Sequence, residues 1–207
     1  YFDVMNVHYS SSFGPVWSSY GPDVAGKIAA VRQTMADRGV HKPVVVTEVG
    51  WTSSPKDSPE VLEMQARYVP KVLTRGLASD LYAMIWFILA DWTGADYPYG
   101  LVDVNLQPRP AYRAYQVAAA EFGEARSVRR LSPDEVGGVS AVEGYVFDVG
   151  GEERWVLWAE DSPVLTQLPA RALEARDKLG QTLQLADGNV PTITLLDGSP
   201  IYVRLQP

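Results

Sequence analysis

Apolar residues follow two rhythms along this chain, and the point where one replaces the other divides it. Residues 2–9 are dense in apolar and aromatic side chains and run into a Ser/Gly/Pro cluster, which predicts a strand. Val24, Ile28, Val31 and Met35 then recur three and four positions apart. That spacing predicts a helix opening at Pro22 and Asp23 and running to about residue 38, with Gly39 at its C-terminal cap. Val44, Val45 and Val46 form an unbroken apolar run, so residues 44–48 read as a strand covered on both faces. Ser58, Pro59 and Glu60 provide a cap, a first-turn proline and an acid for the next helix, which carries Val61, Leu62, Ala66, Val69, Leu73 and Leu77. Pro70 falls inside that pattern and predicts a kink. A third strand is expected over residues 82–90, a long loop over 91–108, and a third helix from Pro110 through Tyr112, Tyr115, Ala119 and Phe122.

Three strand–helix units in succession make a parallel α/β arrangement with right-handed crossovers. Beyond Gly123 the chain switches to short β-rich stretches at residues 145–149, 154–159, 181–185, 192–196 and 201–205. Gly150-Gly151 and Asp187-Gly188 are the hairpin turns expected among them. Residues 1–123 are therefore read as an α/β unit and residues 124–207 as a small antiparallel β-sandwich.

Composition narrows the function classes. The 207 residues are 46% apolar, enough to form a core. A net charge of −7 disfavours nucleic acid as a partner, because a phosphate backbone needs a basic surface. Arg126, Arg129 and Arg130 are too few to make one. With no cysteine and only two histidines, His8 and His41, disulfides and thiolate or histidine-rich metal centres are not expected. The apolar run over residues 81–90 falls far short of the ~20 residues of a membrane-spanning helix, and no membrane partner is expected. The chain opens at Tyr1 directly into an apolar strand, so its natural N-terminus is expected upstream, and the compartment stays open between extracellular and cytoplasmic.

Each predicted parallel strand ends in polar or aromatic residues: Asn6, His8 and Tyr9 on the first, Glu48, Gly50 and Trp51 on the second, Trp86, Asp91 and Trp92 on the third. A buried parallel strand that delivers an acid at its C-terminal end is how barrel enzymes place catalytic groups. Sugar sites combine aromatic faces with polar groups. Plainer readings stand beside these. Glu48 could be a salt-bridged strand end, His8 a hydrogen-bonded core histidine, Trp86 plain packing and Asp91 a loop cap. Tyr9 shares a face with His8 only if the strand end twists, since neighbours alternate. Trp17, Trp51, Trp92, Tyr97 and Tyr99 are expected in loops at the same edge, Asp103 and Asn105 in a turn, and Glu121 and Glu124 as solvated helix-end charges.

The segments FDVMNVHY, KPVVVTEVGW and MIWFILADW, with YGLVDVNLQPRPAYRAY behind the last, resemble the C-terminal part of a clan A retaining glycoside hydrolase, nearest to families 5 and 39. The tail GQTLQLADGNVPTITLLDGSPIYVRL resembles the accessory β-sandwich that follows such barrels. The resemblance implies an α/β fold: a partial (β/α)8 TIM barrel, its last three βα units, followed by the sandwich. It implies that Glu48 is the catalytic nucleophile, that His8 and Tyr9 hold and orient it, and that Trp86 floors the subsite at the cleaved bond. Trp51, Asn6, Asp91 and Trp92 are the further substrate-binding candidates at this edge. No metal or organic cofactor is implied.

One departure is large. The acid/base of that clan is the glutamate of an Asn-Glu pair, and no such pair occurs in this sequence. A full barrel also takes about 250 residues. The expected function is thus the C-terminal portion of a glycosidase whose acid/base lies outside this chain, which alone is inactive. The alternative is a non-catalytic carbohydrate-binding or scaffolding module descended from such a barrel. A third reading, an unrelated parallel α/β enzyme, is weakened in its nucleotide-binding forms by the lack of a glycine-rich phosphate loop. Three parallel strands leave open sheet edges, so the expected partner besides a carbohydrate is a second copy of the chain or the missing barrel half.

Overall fold

The computed structural model describes residues 2–11, 14–52, 58–94, 98–160, 163–186, 190–195 and 197–206. They form two compact units, residues 1–112 and 113–207. The first unit contains β1 (Met5–Ser10), a short α1 (Gly14–Trp17), α2 (Asp23–Ala36), β2 (Val44–Gly50), α3 (Pro59–Ala78) and β3 (Ala83–Trp86). The strands pair in parallel in the order β1-β2-β3, with β2 at the centre.

Local chemistry explains the ends of these elements. Ser58 Oγ accepts from the Val61 amide at the start of α3. Gly39, with a left-handed φ of 66°, closes the turn after α2, its amide and that of Val40 donating to the carbonyls of Ala36 and Met35. One expected element is shorter than its apolar content suggested: β3 ends at Trp86, with the Phe87 amide still donating to the Val49 carbonyl of β2. Coverage also differs. Val44, Val46 and Val49 are fully buried, whereas Val45 and Thr47 are half-buried on the other face. Helices α2 and α3 cover only the first of these faces. The helix layer is seen in Tyr68 of α3 against Trp86, Met84 against Gly76, and Tyr9 against Asp23. Among the described residues no helix is long and apolar enough to cross a membrane.

The second unit holds most of α4 (Pro110–Phe122), followed by β4 (Ser127–Arg130), β5 (Val142–Val149), β6 (Glu152–Ala159), β7 (Val164–Gln167), β8 (Ala172–Asp177), β9 (Thr182–Leu183), β10 (Thr192–Leu195) and β11 (Ile201–Leu205). A six-stranded antiparallel sheet runs β4-β5-β6-β11-β8-β9, and β7 and β10 form a separate pair. Side chains alternate cleanly along β11. Ile201, Val203 and Leu205 enter a core with Leu157, Leu168, Ile193 and Leu195, while Tyr202 points at Phe122 of α4. Phe122 also stacks on Phe147 with ring centres 4.6 Å apart. Gly150 and Gly151, both at positive φ, make the expected β5–β6 turn. Asp187-Gly188 lies outside the described residues. Glu121 is not a solvated charge: it is 2% exposed beneath Arg154, Arg176 and Arg204, because the last turn of α4 lies on the sheet. Glu124 is exposed as expected.

Candidate active site

Glu48 sits near the C-terminal end of the central strand, and a break in the strand aims it. Pairing with β1 runs Val7 to Val46 and then His8 to Glu48, so Thr47 is an extra residue on β2. Such a bulge resets the alternation of side chains and is common where a strand re-aims a functional group. Thr47 and Glu48 thus both emerge from the face away from the helices, and Val49 returns to the buried side. His8 arrives opposite Glu48 on the same face, with Nδ1 3.3 Å from Glu48 Oε2. The contact is an ion pair when the imidazole is protonated and an Nδ1–H hydrogen bond in one neutral tautomer. Both side chains are about half exposed, so the pair contributes at most about 1 kcal/mol to stability and serves orientation instead.

His8, Ser10, Glu48, Phe87 and Tyr99 border a hollow of about 220 Å³, with Tyr9, Val49 and Gly50. The Phe87 and Tyr99 rings meet edge to face, 5.7 Å between centres. Gly50 permits this approach: a Cβ there would come within 2.3 Å of the Phe87 carbonyl oxygen and 3.2 Å of the Tyr99 ring. Asn6 lies two residues before His8 on the same exposed face and accepts from Thr47 Oγ1 at 2.9 Å.

The other candidates lie elsewhere. The Tyr9 hydroxyl donates to Asp23 Oδ1 at 2.7 Å, not to Glu48, because strand alternation turns it into the helix layer. Tyr68 also donates to Asp23, and Arg75 pairs with its other oxygen at 3.3 Å. Burial, and then the charge of Asp23, push both phenols well above their ordinary range, so both hydroxyls remain donors. Trp86 is 7% exposed, packed near Tyr68 on that same inner side. Trp51 packs on Tyr68 as well, with 5.0 Å between centres. Asp91 is a buried loop clasp paired with Arg109, and Trp92 is 53% exposed. Tyr97 lies outside the described residues. Among the described residues no three of His, Cys, Asp and Glu converge as metal ligands.

No protein-family model matches the sequence, and a search of curated proteins finds no relative. Solved structures do match. A family 39 glycoside hydrolase from the gut symbiont Bacteroides cellulosilyticus WH2 aligns with 99% of this chain and 44% of its own, at a TM-score of 0.73 and 17% identity. A family 30 endoxylanase from Clostridium papyrosolvens C71 aligns with 100% of this chain and 49% of its own, at 0.58 and 15%. The family 51 α-L-arabinofuranosidase AbfB from Bifidobacterium longum aligns with 99% and 53%, at 0.62 and 16%. The chain shares the fold of the aligned parts of these glycoside hydrolases. The chain spans about half the length of these structures.

The edge bearing Glu48 is the C-terminal edge of the parallel strands, where α/β enzymes bind ligands. A carboxylate held by an imidazole and walled by two aromatic rings can act as a nucleophile or base beside an apolar ligand face. Sequence reasoning missed Phe87, which occupies the hollow in place of Trp86. It also missed Asp23, whose short polar side chain before a helix reads as an ordinary helix start. The Gly-Trp pair after Glu48 was the usable signal, since Gly50 marks a close backbone approach.

Proposed function

We propose that this chain is the C-terminal portion of a retaining glycoside hydrolase, its three parallel strands the last three βα units of a (β/α)8 barrel and residues 124–207 an accessory β-sandwich. The observation that carries the reading is the bulge-directed placement of Glu48 opposite His8, 3.3 Å away, at the C-terminal edge of the central strand. Glu48 attacks the anomeric carbon and forms a glycosyl ester as the glycosidic C–O bond breaks. A second carboxylic acid protonates the departing oxygen, then deprotonates the water that cleaves the ester and frees Glu48. Retaining chemistry needs that second carboxyl about 5–5.5 Å from the first. No second carboxyl lines the hollow among the described residues, and this reading assigns that role to a group outside the chain. The hollow is also below the ~300–1,000 Å³ of ordinary ligand pockets, as suits a site with part of its wall elsewhere. His8 orients the nucleophile, Phe87 and Tyr99 offer apolar faces to the sugar, and Asn6, on the same exposed face two residues before His8, offers a polar group to its hydroxyls.

The test is hydrolysis of an activated aryl glycoside panel by the parent protein that contains this chain. Glu48→Gln is expected to lower kcat by several orders of magnitude with folding intact. Added azide is expected to rescue Glu48→Gly and yield a glycosyl azide of inverted configuration. Turnover retained in Glu48→Gln overturns the assignment. Glycan binding without any hydrolysis by the wild type leaves the carbohydrate-binding module as the better reading.

A further inference from the structure

Two residues one turn apart on α2 grip consecutive residues of β1. Asp23 accepts the Tyr9 hydroxyl, and Lys27 Nζ donates to the main-chain carbonyl of His8. Neither contact follows from ordinary helix packing. Asp23 holds a φ of 52°, a region costly for a residue with a Cβ, though Asp tolerates it better than most. Its carboxylate is nevertheless locked there by three donors, from Tyr9, Tyr68 and Arg75. Lys27 lies 5.7 Å from the centre of the Trp17 ring, and burial lowers its affinity for a proton. The first turn of α2 is itself pressed against the preceding turn. A Cβ on Gly26 would come within 2.4 Å of the Gly21 carbonyl oxygen and 2.6 Å of that of Trp17. The helix start cannot drift without breaking these approaches.

We propose that Asp23 and Lys27 are positioning residues that clamp the end of β1 and so set the His8–Glu48 pair. The proposal rests on the reading of that pair as the working site. Tyr9 has a part in this account, though a different one from touching Glu48. Its hydroxyl ties the strand to Asp23, which fixes the backbone from which the His8 ring projects on the opposite face. Without the two tethers, a half-exposed imidazole on an edge strand samples other rotamers, and its hold on Glu48 weakens.

The test reads the His8 ring in the 207-residue chain. Only His8 and His41 contribute imidazole signals, so ring 15N shifts at mildly alkaline pH report each tautomer separately. The Glu48 carboxylate beside Nδ1 favours the Nδ1–H form, and Glu48→Ala is expected to return His8 to the Nε2–H majority of free imidazole. Lys27→Met and Tyr9→Phe are expected to lose most of the Nδ1–H excess as well, with the His41 signals unchanged. Lys27→Arg is expected to restore it. If Glu48→Ala shifts His8 while Lys27→Met and Tyr9→Phe match the wild type, the clamp is overturned and the site stands. If Glu48→Ala leaves His8 unmoved, the pair fails and the clamp with it. Asp23→Asn tests the same point more harshly, and loss of fold there leaves the Lys27 and Tyr9 results to decide.

Discussion

Arg109 Nη1 lies 2.6 Å from Asp91 Oδ2, and both side chains are almost wholly buried. The other Asp91 oxygen accepts the amides of Tyr99 and Gly100 at 3.0 and 2.7 Å, and Arg109 also donates to the Gly100 carbonyl. The loop that carries Tyr99 to the hollow is therefore shaped by one ion pair. Removing one member of a buried pair strands the other charge. Asp91→Ala is expected to destabilise the first unit by about 3 kcal/mol, measured by urea unfolding. On the proposed glycosidase reading it is also expected to raise the KM of the parent protein through the displaced Tyr99 ring. An unchanged unfolding midpoint would refute the clasp.

Glu121 plays the equivalent part in the second unit. Its oxygens lie 2.8 Å from Arg204, 3.5 Å from Arg154 and 3.9 Å from Arg176, with its own side chain 3% exposed. One buried carboxylate thus faces three guanidinium groups under α4, of which Arg154 also pairs with Glu152 and Arg176 with Glu174. Glu121→Gln leaves Arg204 facing a neutral amide and is expected to cost about 3 kcal/mol, read as a lower thermal midpoint of the whole chain. Glu124→Gln, at an exposed position, is the control and is expected to change little.

Acid should weaken a specific turn. Arg129 forks onto both oxygens of Glu135 at 2.8 and 3.0 Å, and the Ser132 amide donates to it at 2.9 Å. The Arg129 fork first, then the Ser132 amide, hold this carboxyl down to about 2. A carboxyl depressed by folding contributes stability above its unfolded pKa and loses it as pH falls through the folded value. The window here runs from about 4.5 down to about 2. Because Arg129 is half exposed, the contribution is modest, about 1 kcal/mol. The stability gap between wild type and Glu135→Gln should be full near neutral pH and shrink across that window. A pH-independent gap would contradict it.

What could be read from the sequence was local. The Ser58 cap, the Gly39 turn and the Gly150-Gly151 hairpin each follow from residues a few positions apart, and Asp103 accepts from the amides of Asn105 and Gln107 in the expected turn. Glu48 was legible as a strand-end acid, but the bulge at Thr47 that turns it beside His8 exists only in the pairing of two strands. Trp86 and Phe87 show the same limit. The third strand is apolar at every position, so nothing local tells which aromatic faces the helices. Its pairing with Val49 settles that Trp86 does. Strands β4, β7 and β8 escaped notice because their positions mix polar or charged residues with apolar ones that only the antiparallel ladder sorts to opposite faces.

Among the described residues the first unit has β1 and β3 as edge strands, and apolar side chains stand out near β3: Tyr82 is 76% and Ile85 54% exposed. Unpaired strand edges beside apolar surface invite further pairing. We propose that these edges join further strands of a barrel in the parent protein, and that the 207-residue chain alone self-associates through them. Light scattering after size exclusion is expected to give a mass above that of one chain, rising with concentration. Ile85→Lys places a charge on the exposed face without touching the helix-facing core and is expected to shift the chain toward monomer. A stable monomer of the wild type across the working concentration range would mean that these edges are closed by something within the chain itself.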